Sequence, residues 1–514
     1  MASDGQQVTL QQAKPKANSP FDAYQTSLTT RYCSAEMSQL FSQRSRHSTW
    51  RKLWFRLAEG EKELGIDTIT DEALEQMKAH LVVSDEDFET ARVEEKIRRH
   101  ERCHGCKVLV CYLKLRLTLL QHVHAFGAAA PAAAGIIHYG ATSCFGKFML
   151  TDNTELILMR DALDLLANKM AKVISNLSAF ALKWKAEPTL AYTHLQAAQL
   201  ITVGKRAAQW VQDLMLDLHS IEQVRSELKF RGAQANIFNG DSAKCDQLNE
   251  LLCNKFDFPS CYDISTQTYT RKADLIIANA VCGLGATAQK IAGDLRHLAT
   301  WKEIEEPHES NQIGSSAMAY KVNPMRSERV YSLARELLSK PASFAGTLSD
   351  QWMERTLDDS AIRRIDIPEM FLLADAILIG MDNITSGLVV YPKRIASRVQ
   401  EELPFMITET IIMRLVAKGA SRQEAHEQIR VLSNEAGSVV KNEGKPNDLV
   451  ARIQKNEFFK PIWDDIDNML EAKLYIGRSV EIVDKYCGTG GPVEKQLAPY
   501  GEYIKGSGVA ELNV

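Results

Sequence analysis

The chain has 514 residues and a formal net charge of −4, with 61 lysines and arginines against 65 aspartates and glutamates. This length provides for about two to four domains with large cores. The near balance of charge argues against a nucleic-acid or membrane surface as the main partner. Ten cysteines without a disulfide framework and no secretory pattern at the start predict a reducing, cytoplasmic location. No run of about 18 apolar residues occurs, so no membrane span is expected.

The first part of the chain is predicted to form a helical domain with an atypical insertion. Residues 1–20 are polar and are expected to be disordered, and 21–139 have a helical pattern. At about 101–121 the pattern breaks, because leucines alternate with polar residues at the period of a strand. Cys103-x-x-Cys106 in this stretch lacks a second cysteine pair, which favours an insertion without metal over a zinc site.

Residues 140–390 are predicted to form a central domain of long helices. Three stretches carry apolar residues at alternating three- and four-residue spacing: 159–184, 203–228 and 277–298. This spacing is typical of the buried seam of a helix bundle. Asp152 and Glu155 are predicted to form a capping box at the start of the first helix, and Gly232 is predicted to end the second.

The last region, 391–514, is predicted to be a smaller helical domain. Its first half is amphipathic, with Gly419 as a stop signal and Ser421 as the next cap. After Cys487 the sequence becomes rich in glycine and proline, so the tail is expected to fray.

A polar loop between two helical patterns, Gln312–Arg329, has the composition of a substrate-enclosing segment. Gly314, Ser315 and Ser316 give a backbone that rearranges easily. Lys321 and Asn323 follow, and two arginines stand at the start of the next helix. Such a loop suits an anionic substrate that must be enclosed before reaction, whereas the alternative interpretation is a solvated inter-helix loop.

Three motifs carry a family resemblance. GSSAMAYKVNP at 314–324, QTYTRK at 267–272 and ERTLDDSAIRR at 354–364 resemble the adenylosuccinate lyases of eukaryotic type, in the fumarase/aspartase superfamily. The similarity runs from about residue 20 to about residue 510. It implies an all-α fold of three helical domains, with a central long-helix bundle that packs into a tetrameric core. It further implies a homotetramer in which each active site is shared between subunits.

The resemblance implies an activity that needs no metal or organic cofactor. The reaction is β-elimination of fumarate from adenylosuccinate to give AMP, and from succinyl-aminoimidazole-carboxamide ribotide in purine biosynthesis. His194, in the motif THLQ, is implied as the general acid, and Ser315 as the base. Lys321 and Asn323 would stabilise the carboxylate as it takes on negative charge.

The same resemblance implies further contacts with a nucleotide substrate. These residues are Arg31, Tyr32, Arg99, His100, His138, Thr142, Ser143, Thr193, Gln196, Gln267, Arg329, Arg355, Ser360 and Arg364. The Arg31–Tyr32 pair is implied to contact the phosphate. Planar guanidinium groups fit phosphate and carboxylate oxygens well, although a surface salt-bridge network is the alternative for an arginine cluster.

Two alternative functions remain open from the residues. After Gly232 the chain is about ten residues shorter than the family pattern, which is compatible with a catalytically impaired homologue that has an assembly role. Another fumarate-releasing lyase of the superfamily is a second alternative, and QTYTRK and ERTLDDS argue against it.

Overall fold

The computed structural model describes residues 25–100, 121–139, 145–232, 238, 240–308, 318, 320–510 and 512, and for 94–100 and 145–150 it describes the backbone alone. The predicted disorder of 1–20, most of the predicted insertion, and the predicted site residues Thr142, Ser143 and Ser315 lie outside these ranges. Gln121, the last residue of the predicted insertion, is helical and buried, so this residue belongs to the packed fold.

The fold is all-α, as predicted. The helices of the N-terminal part are α1 (Ala35–Leu40), α2 (Gln43–Glu63), α3 (Asp71–Ala79), α4 (Asp85–His100) and α5 (121–129). The long central helices are α6 (Phe145–Lys183), α7 (Val203–Ser226), α9 (Lys272–Thr300) and α12 (Asp359–Thr385), with the shorter α8 (Ser242–Phe256), α10 (Met325–Leu337) and α11 (Lys340–Ser349) between them. A π-helical turn, Leu28–Tyr32, precedes α1.

The C-terminal part is a set of shorter helices. They are α13 (Pro392–Met406), α14 (Thr408–Ala417), α15 (Arg422–Ser438), α16 (Leu449–Ile453), α17 (Trp463–Met469), α18 (Ser479–Cys487), α19 (Pro492–Leu497) and α20 (Gly501–Gly506). The Ser421 hydroxyl accepts from the backbone N–H of Glu424, as a cap should. The expectation of a frayed tail is wrong for α19 and α20. Gln496 on α19 donates to the carbonyl of Met215 on α7, and Lys172 on α6 donates to the carbonyl of Ile504 on α20.

Two short antiparallel strand pairs accompany the described helices. β1 (Pro188–Thr193) and β2 (Gln196–Thr202) form a hairpin, and β3 (Ile304–Glu305) pairs with β4 (Val389–Val390). The hairpin joins α6 to α7 and is closely attached there. A Cβ on Gly204 would lie 2.3 Å from the carbonyl oxygen of Ala181 on α6, so only glycine fits this contact.

The three predicted apolar seams are buried against one another within this chain. α6 packs on α7 and α12, and α9 packs on α7, α10 and α12. The seam residues of α6, α7 and α9 are almost fully buried. These seams therefore need no partner subunit to cover them. By length and composition alone α9 is apolar enough to span a membrane, a test that a buried core helix such as this one also passes.

Two predicted boundaries are wrong. The helix α6 begins at Phe145, seven residues before Asp152, so Asp152 and Glu155 lie inside it and cap nothing. The helix α7 ends at Ser226, well before Gly232. The division into three domains stays a prediction.

Candidate active site

A buried charge cluster joins the predicted motifs QTYTRK and ERTLDDSAIRR. Arg271, just before α9, donates to Asp152 Oδ1 at 3.1 Å and to Asp359 Oδ2 at 2.9 Å. Arg355 Nη2 lies 3.5 Å from the other oxygen of Asp359. Asp152 is thus a charge partner of α9 and α12 and not a helix cap. Because these side chains are excluded from water, each charge needs its partner to stay in the core.

The second half of this cluster surrounds Tyr269. Arg363 on α12 donates to Asp274 Oδ2 at 2.7 Å and to the Tyr269 hydroxyl at 2.6 Å. The backbone N–H of Tyr269 donates to Asp152 at 3.2 Å. Burial raises the pKa of Tyr269 well above its ordinary value, so the phenol stays protonated. The cluster consequently fixes the N-terminal ends of α9 and α12 against α6.

A cavity of about 540 Å³ opens beside this cluster and contains three predicted substrate-binding residues, Arg355, Ser360 and Arg364. Arg46 on α2 also lines it and is paired with Glu155 on α6. The Arg364 guanidinium makes no hydrogen bond or ion pair with any described residue. An unpaired guanidinium at the edge of a cavity is suited to bind an oxyanion.

Two neighbouring histidines form another wall of the same cavity. The ring centroids of His47 and His122 are 3.9 Å apart. Burial, with the neighbouring His122 and Arg46, lowers the pKa of His47 to about 3. Burial, with the neighbouring Arg51, lowers the pKa of His122 to about 4. Both rings are therefore neutral at neutral pH, and they add hydrogen-bonding groups to the cavity without adding charge.

The predicted Arg31–Tyr32 pair lies at a second cavity, of about 310 Å³, together with Arg329. Arg31 and Tyr32 belong to the π-helical turn, a geometry that is frequent at functional sites. The guanidinium of Arg329, on α10, lies 5.2 Å from the centre of the Tyr32 ring and makes no hydrogen bond or ion pair with a described residue. This cavity is therefore a second candidate anion site.

His194 stands at the tip of the β1–β2 hairpin. The pair Thr193↔Gln196 closes a two-residue loop in which His194 has φ 52° and Leu195 has φ 61°. Such loops usually contain Asn-Gly, because bulkier residues at positive φ are strained. His194 is exposed, and Leu195 is 89% exposed. The side chain of His194 is therefore exposed on a strained turn and lines a cavity of about 1020 Å³.

The remaining predicted site residues are scattered around these features. His138 is half-buried and has φ 56°. The Gln267 carbonyl accepts from Arg231 at 3.2 Å, Lys321 is exposed, and Asn323 is half-buried. Arg99 and His100 form the last turn of α4, where the backbone alone is described.

Those predicted site residues whose side chains the structure describes do not all come together within one chain. Arg271 of the charge cluster directly precedes α9, and Trp301 of the His194 cavity directly follows it, so the 29-residue helix separates the two places by about 40 Å. Along α12, Arg364 and Gly380, which lines the Arg31–Tyr32 cavity, are about 24 Å apart. A small substrate in one chain cannot contact all three places.

The structure adds residues that the sequence analysis did not assign. Arg326 and Lys172 line the Arg31–Tyr32 cavity, and Arg46 lines the other one. The three-residue spacing of Arg326 and Arg329 places both on one helix face, and this signal is visible in the sequence. Lys172 and Arg46 reach their cavities from distant helices, which no local pattern indicates. Within the described ranges, no group of three or more potential metal-ligating side chains occurs.

Comparisons with known proteins identify the family. Residues 61–338 match the family model described as "Lyase", and residues 404–486 match the one described as "Adenylosuccinate lyase C-terminus". The adenylosuccinate lyase of Saccharomyces cerevisiae is 48% identical over 96% of this chain and 99% of the relative. That of Schizosaccharomyces pombe is 47% identical over 94% and 98%.

Solved structures show the same fold at lower identity. A fumarate lyase from Mesorhizobium sp. BNC1 has a TM-score of 0.73 and 21% identity, covering 91% of this chain and all of that one. A 3-carboxy-cis,cis-muconate lactonizing enzyme from Pseudomonas putida has a TM-score of 0.73 and 19% identity, covering 93% and 99%. The fold and the near-full-length identity together lead to one conclusion: the chain belongs to the adenylosuccinate lyases of the fumarase/aspartase superfamily.

Proposed function

We propose that this chain catalyses β-elimination of fumarate from adenylosuccinate, giving AMP, and the equivalent step on succinyl-aminoimidazole-carboxamide ribotide in purine biosynthesis. The observation that carries the proposal is the 48% identity to a named adenylosuccinate lyase over nearly the whole of both chains. The arginine-lined cavities agree with it, since the substrate bears a phosphate and two carboxylates.

The proposed chemistry is general acid–base catalysis. Ser315 removes a proton from the carbon beside a succinyl carboxylate, and the carbon–nitrogen bond breaks to form fumarate. His194 donates a proton to the leaving nitrogen, which stays on the purine of AMP. Lys321 and Asn323 stabilise the negative charge that develops on the carboxylate. His194 is exposed and lines a cavity, so its ring is accessible to a substrate, as the proposed role requires.

The proposed active enzyme is a homotetramer with sites shared between subunits. Support comes from the separation of about 40 Å between His194 and the charge cluster along α9. General acids act within hydrogen-bonding distance of the reacting atom, so a site that uses both regions needs at least two chains. Leu195, an almost fully exposed apolar residue beside His194, is a natural contact for a second subunit. The enzyme is proposed to be cytoplasmic, where its free cysteines would stay reduced.

Activity is tested by measuring the loss of adenylosuccinate absorbance together with fumarate release. The wild-type chain is expected to show both at equal rates. His194→Ala is expected to lower turnover by about 10² to 10⁴-fold while the protein stays folded. A wild-type chain without fumarate release would overturn the proposed function, and wild-type turnover in His194→Ala would overturn the role of this residue.

Sharing of the site is tested by co-expressing two inactive variants, His194→Ala and Arg364→Ala. If the two residues reach one site from different chains, random mixing restores about a quarter of the sites. The matched control is co-expression of Arg355→Ala with Arg364→Ala, whose residues line the same cavity of one chain. This control is expected to recover nothing. Equal failure of both mixtures would show that each site is built by a single chain.

A further inference from the structure

Two of the free cysteines, Cys253 and Cys261, lie close enough to react with each other. Their Sγ atoms are 3.4 Å apart and share a hydrogen bond. A disulfide joins sulfur atoms at about 2.05 Å, so an approach of about 1.4 Å converts this contact into a covalent bond. The proposed elimination uses neither thiol, so their chemistry is a separate property of the chain.

A sharp reversal of the chain brings the two cysteines together. Cys253 lies in the last turn of α8, and Asp257, directly after this helix, has φ 58°. The backbone N–H of Phe258 then donates to the carbonyl of Cys253 at 3.0 Å, which closes the helix end. The segment after the reversal therefore runs back beside α8.

The position of Cys261 is fixed by a neighbouring segment of the chain. The backbone N–H of Phe230 donates to the carbonyl of Ser260, and that of Tyr262 donates to the carbonyl of Phe230, each at 2.9 Å. The Cys261 sulfur also packs on Gly232, where an added Cβ would lie 3.3 Å from it. Both thiols are thus held in place before any reaction, and such positioning strongly accelerates a reaction between two groups.

The two thiols differ in their access to solvent. Cys253 is 4% exposed, whereas Cys261 is half-buried, so a small oxidant reaches the pair at Cys261. The hydrogen bond with Cys261 lowers the pKa of Cys253, which favours loss of the first proton from the pair. Because the two sulfurs then share the remaining proton, either of them can carry the negative charge.

We propose that Cys253 and Cys261 are a redox-sensitive pair that forms a reversible disulfide with a peroxide, and that this bond clamps the turn of residues 257–261 to α8. The inference goes beyond the proposed function and does not depend on it. The segment that the bond would fix adjoins Gly232, where the sequence departs from the family pattern.

The oxidation proceeds in two steps. The Cys261 thiolate attacks one oxygen of hydrogen peroxide, the O–O bond breaks, and the leaving hydroxide takes up a proton to become water. The sulfenic acid formed at Cys261 is then attacked by the Cys253 thiolate, so that the S–S bond forms and a second hydroxide leaves as water. In total the two thiols lose two electrons and two protons, and one peroxide becomes two waters.

Reduced glutathione reverses the reaction through the half-buried sulfur. A glutathione thiolate attacks the Cys261 sulfur, and Cys253 leaves as a thiolate. A second glutathione then releases Cys261, and the two glutathione molecules leave joined as their disulfide. In a reducing compartment the bond is therefore transient and reports a pulse of oxidant.

The test is peptide mapping of the folded wild-type protein after treatment with hydrogen peroxide. Trypsin cleaves after Lys255, between the two cysteines, so a disulfide joins the peptides 245–255 and 256–271. More than about half of the chains are expected to carry this link, and reduced glutathione should remove it. Cys282 is the internal comparison, because it is buried and donates to the carbonyl of Leu337 at 3.1 Å. It should stay reduced.

A matched variant is needed because Cys245 shares a tryptic peptide with Cys253. Cys245→Ser should form the link as the wild type does, and Cys253→Ser should not form it. Loss of the link in Cys245→Ser, or its persistence in Cys253→Ser, would overturn the assignment of the pair. So would a wild-type protein in which Cys282 is oxidised while the two peptides remain separate.

Hydrogen exchange tests the clamp. The amides of Phe258 and Tyr262 are hydrogen-bonded across the turn, and they exchange when the turn opens. In the oxidised protein their exchange is expected to be slower by at least about tenfold, because the crosslink opposes that opening. Exchange within α15, which lies in the C-terminal part, should not change. Equal exchange in the oxidised and reduced proteins would show that the disulfide clamps nothing.

Discussion

The candidate functional residues near the two ends of helix α9 differ in their exposure to solvent. At the first end, Arg271 is buried between Asp152 and Asp359, and every charge has a partner within the chain. At the other end, His194 projects from a strained hairpin into solvent. In the proposed shared site, the chain completes the scaffold of one half-site by itself, and His194 would belong to the half-site that a neighbouring chain completes.

Removal of Arg271 should have the largest effect on stability, because it disrupts the buried charge cluster at the N-terminal end of α9. In Arg271→Ala two buried aspartates each lose their nearest cationic partner, which should lower the free energy of unfolding by about 3 to 5 kcal/mol. The matched control is Lys272→Ala, one residue further along, whose side chain is exposed and should matter by less than about 0.5 kcal/mol. Chemical denaturation of both variants provides the measurement. Equal midpoints would show that the cluster does not stabilise the fold.

The base of the β1–β2 hairpin should tolerate substitution as poorly as the charge cluster does, although the tip of the hairpin is exposed to solvent. Gly204→Ala places a Cβ against the backbone of Ala181 and Lys185, which should cost about 3 kcal/mol of stability. Gly437→Ala is the matched control, since it lies inside helix α15 with no atom within 4 Å of the added carbon. It should stabilise by about 0.5 to 1 kcal/mol. A tolerated Gly204→Ala would mean that the hairpin is loosely attached and that His194 is not held in place.

Glu61 differs from the paired Asp152 and Asp359, because it is a buried carboxylate without a hydrogen-bond partner among the described residues. Glu61 on α2 is 1% exposed, and both of its oxygens lack hydrogen bonds in the described structure. Burial raises the pKa of Glu61 from 4.5 to about 8. The folded state therefore keeps a proton that the unfolded state has lost. The contribution of protonated Glu61 to the free energy of unfolding is complete below pH 4.5, and it is lost as the pH rises through about 8.

The corresponding experiment measures the free energy of unfolding from pH 6 to pH 8. The wild type should lose up to about 1.4 kcal/mol per pH unit from this group, and Glu61→Gln should lose less, because its neutral amide does not titrate. At pH 8 the variant should be more stable than the wild type. Parallel curves for the two proteins would mean that Glu61 is ionised and hydrated in the folded state.

The sequence predicted the helical seams well and the charge partners poorly, for one physical reason. The seams of α6, α7 and α9 depend on a local period of 3.6 residues, which the sequence displays directly. Asp152 followed by Glu155 also matches a local capping pattern, yet Asp152 pairs with Arg271, 119 residues away. Long-range pairing of buried charges leaves no local signal that would distinguish it from a cap.

The motifs named a set of candidate site residues, whose roles stay predictions, and gave no indication of their geometry. Arg31, Tyr32 and Arg329 line one cavity, and Arg355, Ser360 and Arg364 line another, as their motifs suggested that they would bind anions. Nothing in the motifs indicated that the two groups lie about 24 Å apart along α12. The packing of the C-terminal segment on α6 and α7 was missed for a similar reason, because a glycine-rich composition indicates disorder when it is considered alone.

The length of α9 has a consequence for how the enzyme behaves on dilution. If the two half-sites at its ends meet only between chains, each substrate molecule binds to several subunits at once. Ligand binding and assembly then favour each other by mass action. Specific activity should fall when the protein is diluted below the dissociation constant of the proposed assembly, with every catalytic residue intact, and substrate should delay that loss. In that case the specific activity of the enzyme depends on its own concentration, because the length of α9 keeps the two half-sites of one chain apart.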